Sequence, residues 1–192
     1  MKLREKYRKD VIPAMRDKFG YKSVMAVPRI EKVVINTGIG RLVAGKTSEE
    51  QKKLFNSVLE DLAAIAGQKA VLTKVKKSIS VFKVRQGTAV GAKVCLRGKR
   101  MYDFLERLIN IAFPRVRDFR GIGLKSFDPK GNLTVAFKEQ SVFPEISPER
   151  TKAVFGFEIT IVTTAKSREQ SIELLRLMGF PLKHSSERPI TK

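Results

Sequence analysis

The chain has 192 residues, 42% of them hydrophobic, and 39 Lys and Arg against 19 Asp and Glu, for a net charge of +20. That size and apolar content are enough for one domain with a real core, and an excess of positive charge this large points to a polyanionic partner rather than an acidic small substrate. A single cysteine, Cys95, excludes an internal disulfide, and with the single His184 it excludes a Cys/His zinc site within the chain. No apolar run approaches the roughly 18 residues of a transmembrane helix and no secretory apolar region opens the chain, so no membrane partner is expected.

Leu3, Tyr7, Val11, Met15 and Phe19 recur every fourth residue and predict a helix that Gly20 stops and Pro13 kinks or divides. Residues 29–37 alternate as a strand, with Val33 and Ile35 on one side and Lys32, Val34 and Asn36 on the other. A strong helix is expected over 48–66, opened by a capping box of Thr47 with Glu50 or Ser48 with Gln51 and ended by Gly67. Leu54, Phe55, Val58, Leu62 and Ile65 form its buried stripe.

The stretch 62–102 contains no Asp or Glu but ten basic side chains, half the net charge of the chain. Apolar residues are interleaved throughout, so it is a folded positive surface rather than a disordered basic tail. Strands are expected over 70–75 and 88–97, joined by a loop over about 76–87. In the second strand Val90, Ala92, Val94 and Leu96 face one side. The small or basic Ala89, Gly91, Lys93, Cys95 and Arg97 face the other, leaving a low positive face for a sugar–phosphate backbone.

Met101, Phe104, Leu105, Leu108 and Ile111 predict a helix ended by Pro114, and a second long loop follows over 114–131. A short strand is expected over 132–137, a loop over 142–148, and a half-buried strand in which Phe155, Phe157, Ile159 and Ile161 alternate with other residues. Ser167, capping with Gln170, opens a last helix carrying Ile172, Leu175 and Met178. The intermixed elements and short connections define an α+β fold, a mainly antiparallel sheet with helices packed on one face and the other face open. One domain is expected over 1–183, with 184–192 a flexible tail.

One motif argues for an enzyme. Gly40–Thr47 matches the phosphate-loop pattern G-x-x-x-x-G-K-[ST] between a predicted strand and a predicted helix. Three features oppose it. The first glycine lies four residues beyond Asn36, Leu42 and Val43 are bulky for a loop that wraps phosphate, and no later strand ends in the Asp that would hold magnesium. No enzyme activity and no cofactor are expected.

The segment Val27-Pro28-Arg29-Ile30-Glu31-Lys32-Val33-Val34-Ile35-Asn36 resembles the opening strand of the bacterial-type large-subunit ribosomal protein L five family, and so does the block from Gly67 to Gly121. FDPKGNLTVAFKEQSVFPEI, ITIVTTA and LLRLMGFP continue the resemblance in order, so it covers nearly the whole chain. Cys95 stands where a Thr is expected, and the tail from His184 runs past the usual end. The resemblance implies a structural constituent of the central protuberance in the cytoplasmic ribosome. The implied partners are 5S rRNA, 23S rRNA, P-site tRNA, the small-subunit head protein S thirteen across an intersubunit bridge, and other 5S-associated ribosomal proteins.

Within that role, Asn36 and Gln68 are candidates for base-edge or 2′-hydroxyl contacts to 5S rRNA, Phe82 for stacking on a base, and Lys93 and Arg97 for phosphates. Lys76, Lys77, Lys83 and Arg85 on the first loop are assigned to tRNA. Arg115, Arg117 and Arg120 on the second are assigned to the bridge or to rRNA.

Overall fold

The computed structural model describes residues 2–43, 46–81, 84–146 and 153–183. Among the described residues five strands, β1 (Ile30–Gly38), β2 (Val71–Lys74), β3 (Ala89–Leu96), β4 (Leu133–Phe137) and β5 (Phe157–Thr163), form one antiparallel sheet in the order β2-β3-β1-β5-β4. The described chain falls into two compact units, one made of Met1–Lys32, Arg97–Val135 and Thr160–Lys192, the other of Val33–Leu96 and Ala136–Ile159.

In the first unit the N-terminal helix runs unbroken as Leu3–Lys6, a π turn Tyr7–Val11, and Ile12–Phe19. Pro13 does not divide it. Proline has no N–H to offer the ladder and crowds the carbonyl four residues back. The turn before it widens instead, and the Ile12 N–H reaches back five residues to the Tyr7 carbonyl. The wider turn also suits the apolar spacing of four, which outruns the 3.6-residue period of an α-helix. Val11 and Met15 are fully buried.

The same device recurs before Pro114. Gly98–Arg107 continues through a π turn Leu108–Ala112 into Phe113–Arg115, so the helix ends after Pro114 rather than at it. The widened turn shifts the phase, so Leu108 is followed on the buried side by Ala112, and Ile111, expected inside, is exposed. Phe113 stacks on Phe119 at 5.2 Å and meets Phe180 edge-on.

The C-terminal helix Arg168–Met178 is opened by the Ser167 hydroxyl, which accepts from the Gln170 N–H. The Gln170 side chain accepts from Lys166 N rather than from Ser167 N, so only half of a reciprocal box forms. Gly131 sits at φ 81° with Ser171 Cβ 2.9 Å from where its own Cβ would be, and its carbonyl accepts from the Thr163 and Ser171 hydroxyls. The turn before it is held by Asp128, whose carboxylate accepts from Asn132 N at 2.7 Å and Asn132 Nδ2 at 2.8 Å. Burial works to raise the pKa of that carboxyl, but these hydrogen bonds, with Lys130, hold it below the ordinary value.

In the second unit the long helix Ser48–Ala66 has the reciprocal box on Thr47 and Glu50, and Gly67 ends it in the left-handed region. Gln51, the alternative partner for Ser48, turns back to donate to the Lys46 and Val43 carbonyls. Phe55, Val58, Leu62 and Ile65 are buried with Val33, Ile35, Val94 and Leu96 of the sheet, as the alternation requires. Phe137, Phe143 and Phe157 form an aromatic cluster, with Phe137 and Phe157 stacked at 5.1 Å. The segment after β4 is tied by the buried Gln140, which donates to the Ala153 carbonyl at 2.8 Å and accepts from Phe155 N at 2.9 Å.

Candidate nucleic-acid interface

Register builds the surface in the second unit. Asn36 of β1 lies opposite Lys93 of β3, and Lys93 lies opposite Val71 of β2, so three side chains form one row across three strands. All three are exposed, Val71 at 62%. The next row toward the far end of β3 pairs Val34 with Cys95, both half-buried. The open face therefore offers an amide, an ammonium group and a shallow apolar floor. Sequence reasoning does not single out Val71 for this face, although its parity with Lys93 is the signal that could have found it.

Gly91 does not contribute to a low floor as expected. It is buried, and a Cβ there would collide with the Thr37 carbonyl oxygen and lie 2.8 Å from Thr73 Oγ1. The absent side chain makes room for neighbouring strands rather than for a ligand. Gln68, half-buried just past Gly67, donates from Nε2 to the Cys95 carbonyl at 3.2 Å and so ties the end of the long helix to β3. Arg97 is exposed and stands at the start of helix Gly98–Arg107, in the first unit.

The described residues of 76–87 pair as a hairpin rather than an irregular loop. Val75 and Thr88 continue the ladder, Gly87 N donates to the Val75 carbonyl, and Ile79 pairs with Val84. A bulge at Thr73/Lys74 precedes it, which increases local twist. Lys76, Lys77 and Arg85 are exposed along it, and Val81 near the tip is 82% exposed. Phe82 and Lys83 lie outside the described residues, as does His184. Among the described residues none of Lys74, Lys76, Lys77, Arg85, Lys93 and Arg97 is paired with a carboxylate.

Arg115, Arg117 and Arg120 are exposed in the first unit. Their loop is anchored more firmly than its Gly and Arg content suggests. Ile122 is buried and exchanges backbone hydrogen bonds with the chain at Pro181 and Lys183, and Phe127 is buried beside Leu133.

The phosphate-loop match does not form a cradle. Gly40–Val43 is a short helix whose Leu42 and Val43 N–H groups donate to the Ile39 carbonyl. Lys46 N donates to the Val43 carbonyl, Thr47 N to Glu50 Oε2, and the Thr47 hydroxyl accepts from Glu50 N. Gly45 lies outside the described residues. The Thr47 backbone N–H donates to Glu50 rather than to a phosphate, and the hydroxyl that would hold magnesium caps a helix. Calorimetry on the wild type is expected to show no magnesium-dependent ATP or GTP binding, and Lys46→Ala to change nothing. Micromolar binding that Lys46→Ala removes would overturn this. Among the described residues no group of His, Cys, Asp and Glu is placed to hold a metal ion, and no helix is long and apolar enough to cross a membrane.

An open sheet face carrying Lys93, with a basic hairpin beside it, is the kind of surface that polyanion-binding proteins present. Comparison with known proteins makes this specific. Residues 23–85 match the family described as Ribosomal protein L5, and residues 89–182 match the family that describes the C-terminus of the same ribosomal protein. The chain is 53% identical over 180 residues to large ribosomal subunit protein uL5 of Alkaliphilus metalliredigens, covering 94% of this chain and 97% of the relative. It is 50% identical over 179 residues to the uL5 of Halothermothrix orenii (93% and 97% covered) and 49% identical over 183 residues to that of Clostridium tetani (95% and 98% covered). The chain belongs to the ribosomal protein L5 family, whose members are ribosomal structural proteins and not enzymes.

Proposed function

We propose that this chain is a structural constituent of the large subunit in the cytoplasmic ribosome, where it binds 5S rRNA and helps attach it to 23S rRNA beside other 5S-associated proteins. The observation that carries this is the exposed row Asn36, Lys93 and Val71, the last two within a stretch of chain that has no carboxylate. Lys93 neutralises a phosphate, Asn36 reads a base edge or a 2′-hydroxyl, and Gln68, Phe82 and Arg97 contribute further contacts. The hairpin residues Lys76, Lys77, Lys83 and Arg85 touch P-site tRNA. Arg115, Arg117 and Arg120 serve rRNA or the bridge to the small-subunit head protein S thirteen.

The test is filter binding of the purified chain to 5S rRNA, to tRNA and to an unrelated structured RNA of equal length. The 5S complex should be the tightest and steeply salt-dependent, with a slope of roughly −0.7 to −0.9 in log K against log[salt] for each phosphate neutralised. Equal affinity for all three RNAs would reduce the chain to a generic basic binder.

A further inference from the structure

A pocket of about 420 Å³ opens within the first unit and uses none of the residues assigned above. Its walls come from the segment that follows the N-terminal helix. Gly20 turns the chain in the left-handed region, and the Ser23 hydroxyl caps the short 3₁₀ turn Val24–Ala26. Val27 and Pro28 are buried, and the Pro28 carbonyl accepts from the Tyr7 hydroxyl at 3.0 Å. Arg29 N donates to Thr164 Oγ1 and Thr164 N to the Arg29 carbonyl, which pins the opposite wall. The frame is therefore fixed by hydrogen bonds in which the Arg29 side chain takes no part, and its substitution leaves them in place.

The lining chemistry is selective. Tyr21, Met25 and Pro28 supply apolar surface, Arg29 and Lys166 supply two cations with exposed side chains, and no carboxylate lines the pocket. Met25 is 84% exposed, the most exposed large apolar side chain among the described residues. A polarizable thioether at a cavity mouth is suited to a flat aromatic ligand. The Tyr21 hydroxyl is buried with no partner among the described residues. The volume falls in the range of about 300–1,000 Å³ of small-ligand sites, and unstacked bases are the part of RNA that proteins take into such sites.

We infer that this pocket receives one unstacked nucleotide of ribosomal RNA, its base against Met25 and Tyr21 and its phosphate on Arg29 and Lys166. The inference rests on the RNA-binding reading above. The chain carries its own reporter, because Met15, Met101 and Met178 are buried and serve as internal references for Met25.

In one arm, full-length chain labelled at the methionine methyls is titrated with isolated 5S rRNA. In the other, chain carrying a photo-crosslinking benzophenone in place of Met25 is assembled into large subunits, irradiated, and its adduct sequenced. A shift of the Met25 methyl alone, with an adduct on 5S rRNA, identifies the source as 5S. An unmoved methyl with an adduct on 23S rRNA identifies the source as 23S. In either case Arg29→Ala should cut adduct yield about tenfold, and Lys166→Ala should lower the salt slope of the bound RNA by about 1. An adduct on a ribosomal protein, or no RNA adduct from assembled subunits, overturns the pocket. Failure of the wild type to shift 5S rRNA in a gel would instead remove the RNA-binding reading beneath it.

Discussion

Lys93→Glu should lower affinity for 5S rRNA by about 100-fold, close to 2.7 kcal/mol, while leaving the chain folded. Lys93 is exposed and unpaired with any described carboxylate, so the charge reversal removes the proposed phosphate contact and adds repulsion without disturbing the core. Asn36→Ala, directly opposite on β1, should weaken the same complex by a smaller factor and relax its preference for 5S over other RNA. The hairpin provides the contrast. Replacing Lys76, Lys77, Lys83 and Arg85 together by Ala should keep most of the specific 5S affinity and still permit subunit assembly, yet lose stabilisation of P-site tRNA. Filter binding on isolated 5S rRNA beside tRNA retention on assembled subunits separates the two. If the hairpin variant loses 5S affinity as severely as the sheet-face variants, the hairpin belongs to the 5S site.

Gly91→Ala is expected to destabilise the fold by about 3 kcal/mol, the upper part of the range for overpacking a well-filled site. The added Cβ would meet the Thr37 carbonyl of β1 and the Thr73 hydroxyl of β2 together, and a backbone carbonyl cannot swing aside as a long side chain can. The ladder must open on both sides of β3. At roughly 2–4 °C per kcal/mol for a chain of this size, thermal unfolding should fall by about 6–12 °C. An unchanged midpoint would mean that β1, β2 and β3 can slide apart at little cost.

These two sites show where the sequence was legible. The alternation of β1 and β3 assigned Asn36 and Lys93 to the open face, and register then placed them opposite one another. Thr47 and Glu50 announced the start of the long helix because a capping box is a local signal, complete within four residues. The failures were non-local or geometric. Gly91 has small-residue parity with the open face, and only the approach of β1 and β2 reveals that its space is filled. Pro13 and Pro114 carried a rule for breaking helices, and the structure met it with a widened turn that a 3.6-residue template does not contain. The loop over 114–131 looked free because the strand-like partner of Ile122 lies some sixty residues on, at Leu182. Phe82, Lys83 and the tail beginning at His184 fall outside the described residues.

The chain has three tyrosines and no tryptophan, and all three phenols are shifted the same way. Burial raises Tyr7 to about 12, with Tyr102 adding to the effect and Arg29 opposing it. Burial likewise raises Tyr21 and Tyr102 above the ordinary value. An unfolded chain releases these protons near pH 10. The native state therefore holds protons that the unfolded state gives up, so stability present below pH 10 drains away as pH climbs from there toward 12. Tyr7, which donates its hydroxyl proton to the Pro28 carbonyl, ionises at higher pH in the native state than in an unfolded chain, so phenolate absorbance from it just above pH 10 reports opening of the first unit. With no indole to obscure the signal, loss of structure in alkali becomes a change of colour in the near ultraviolet.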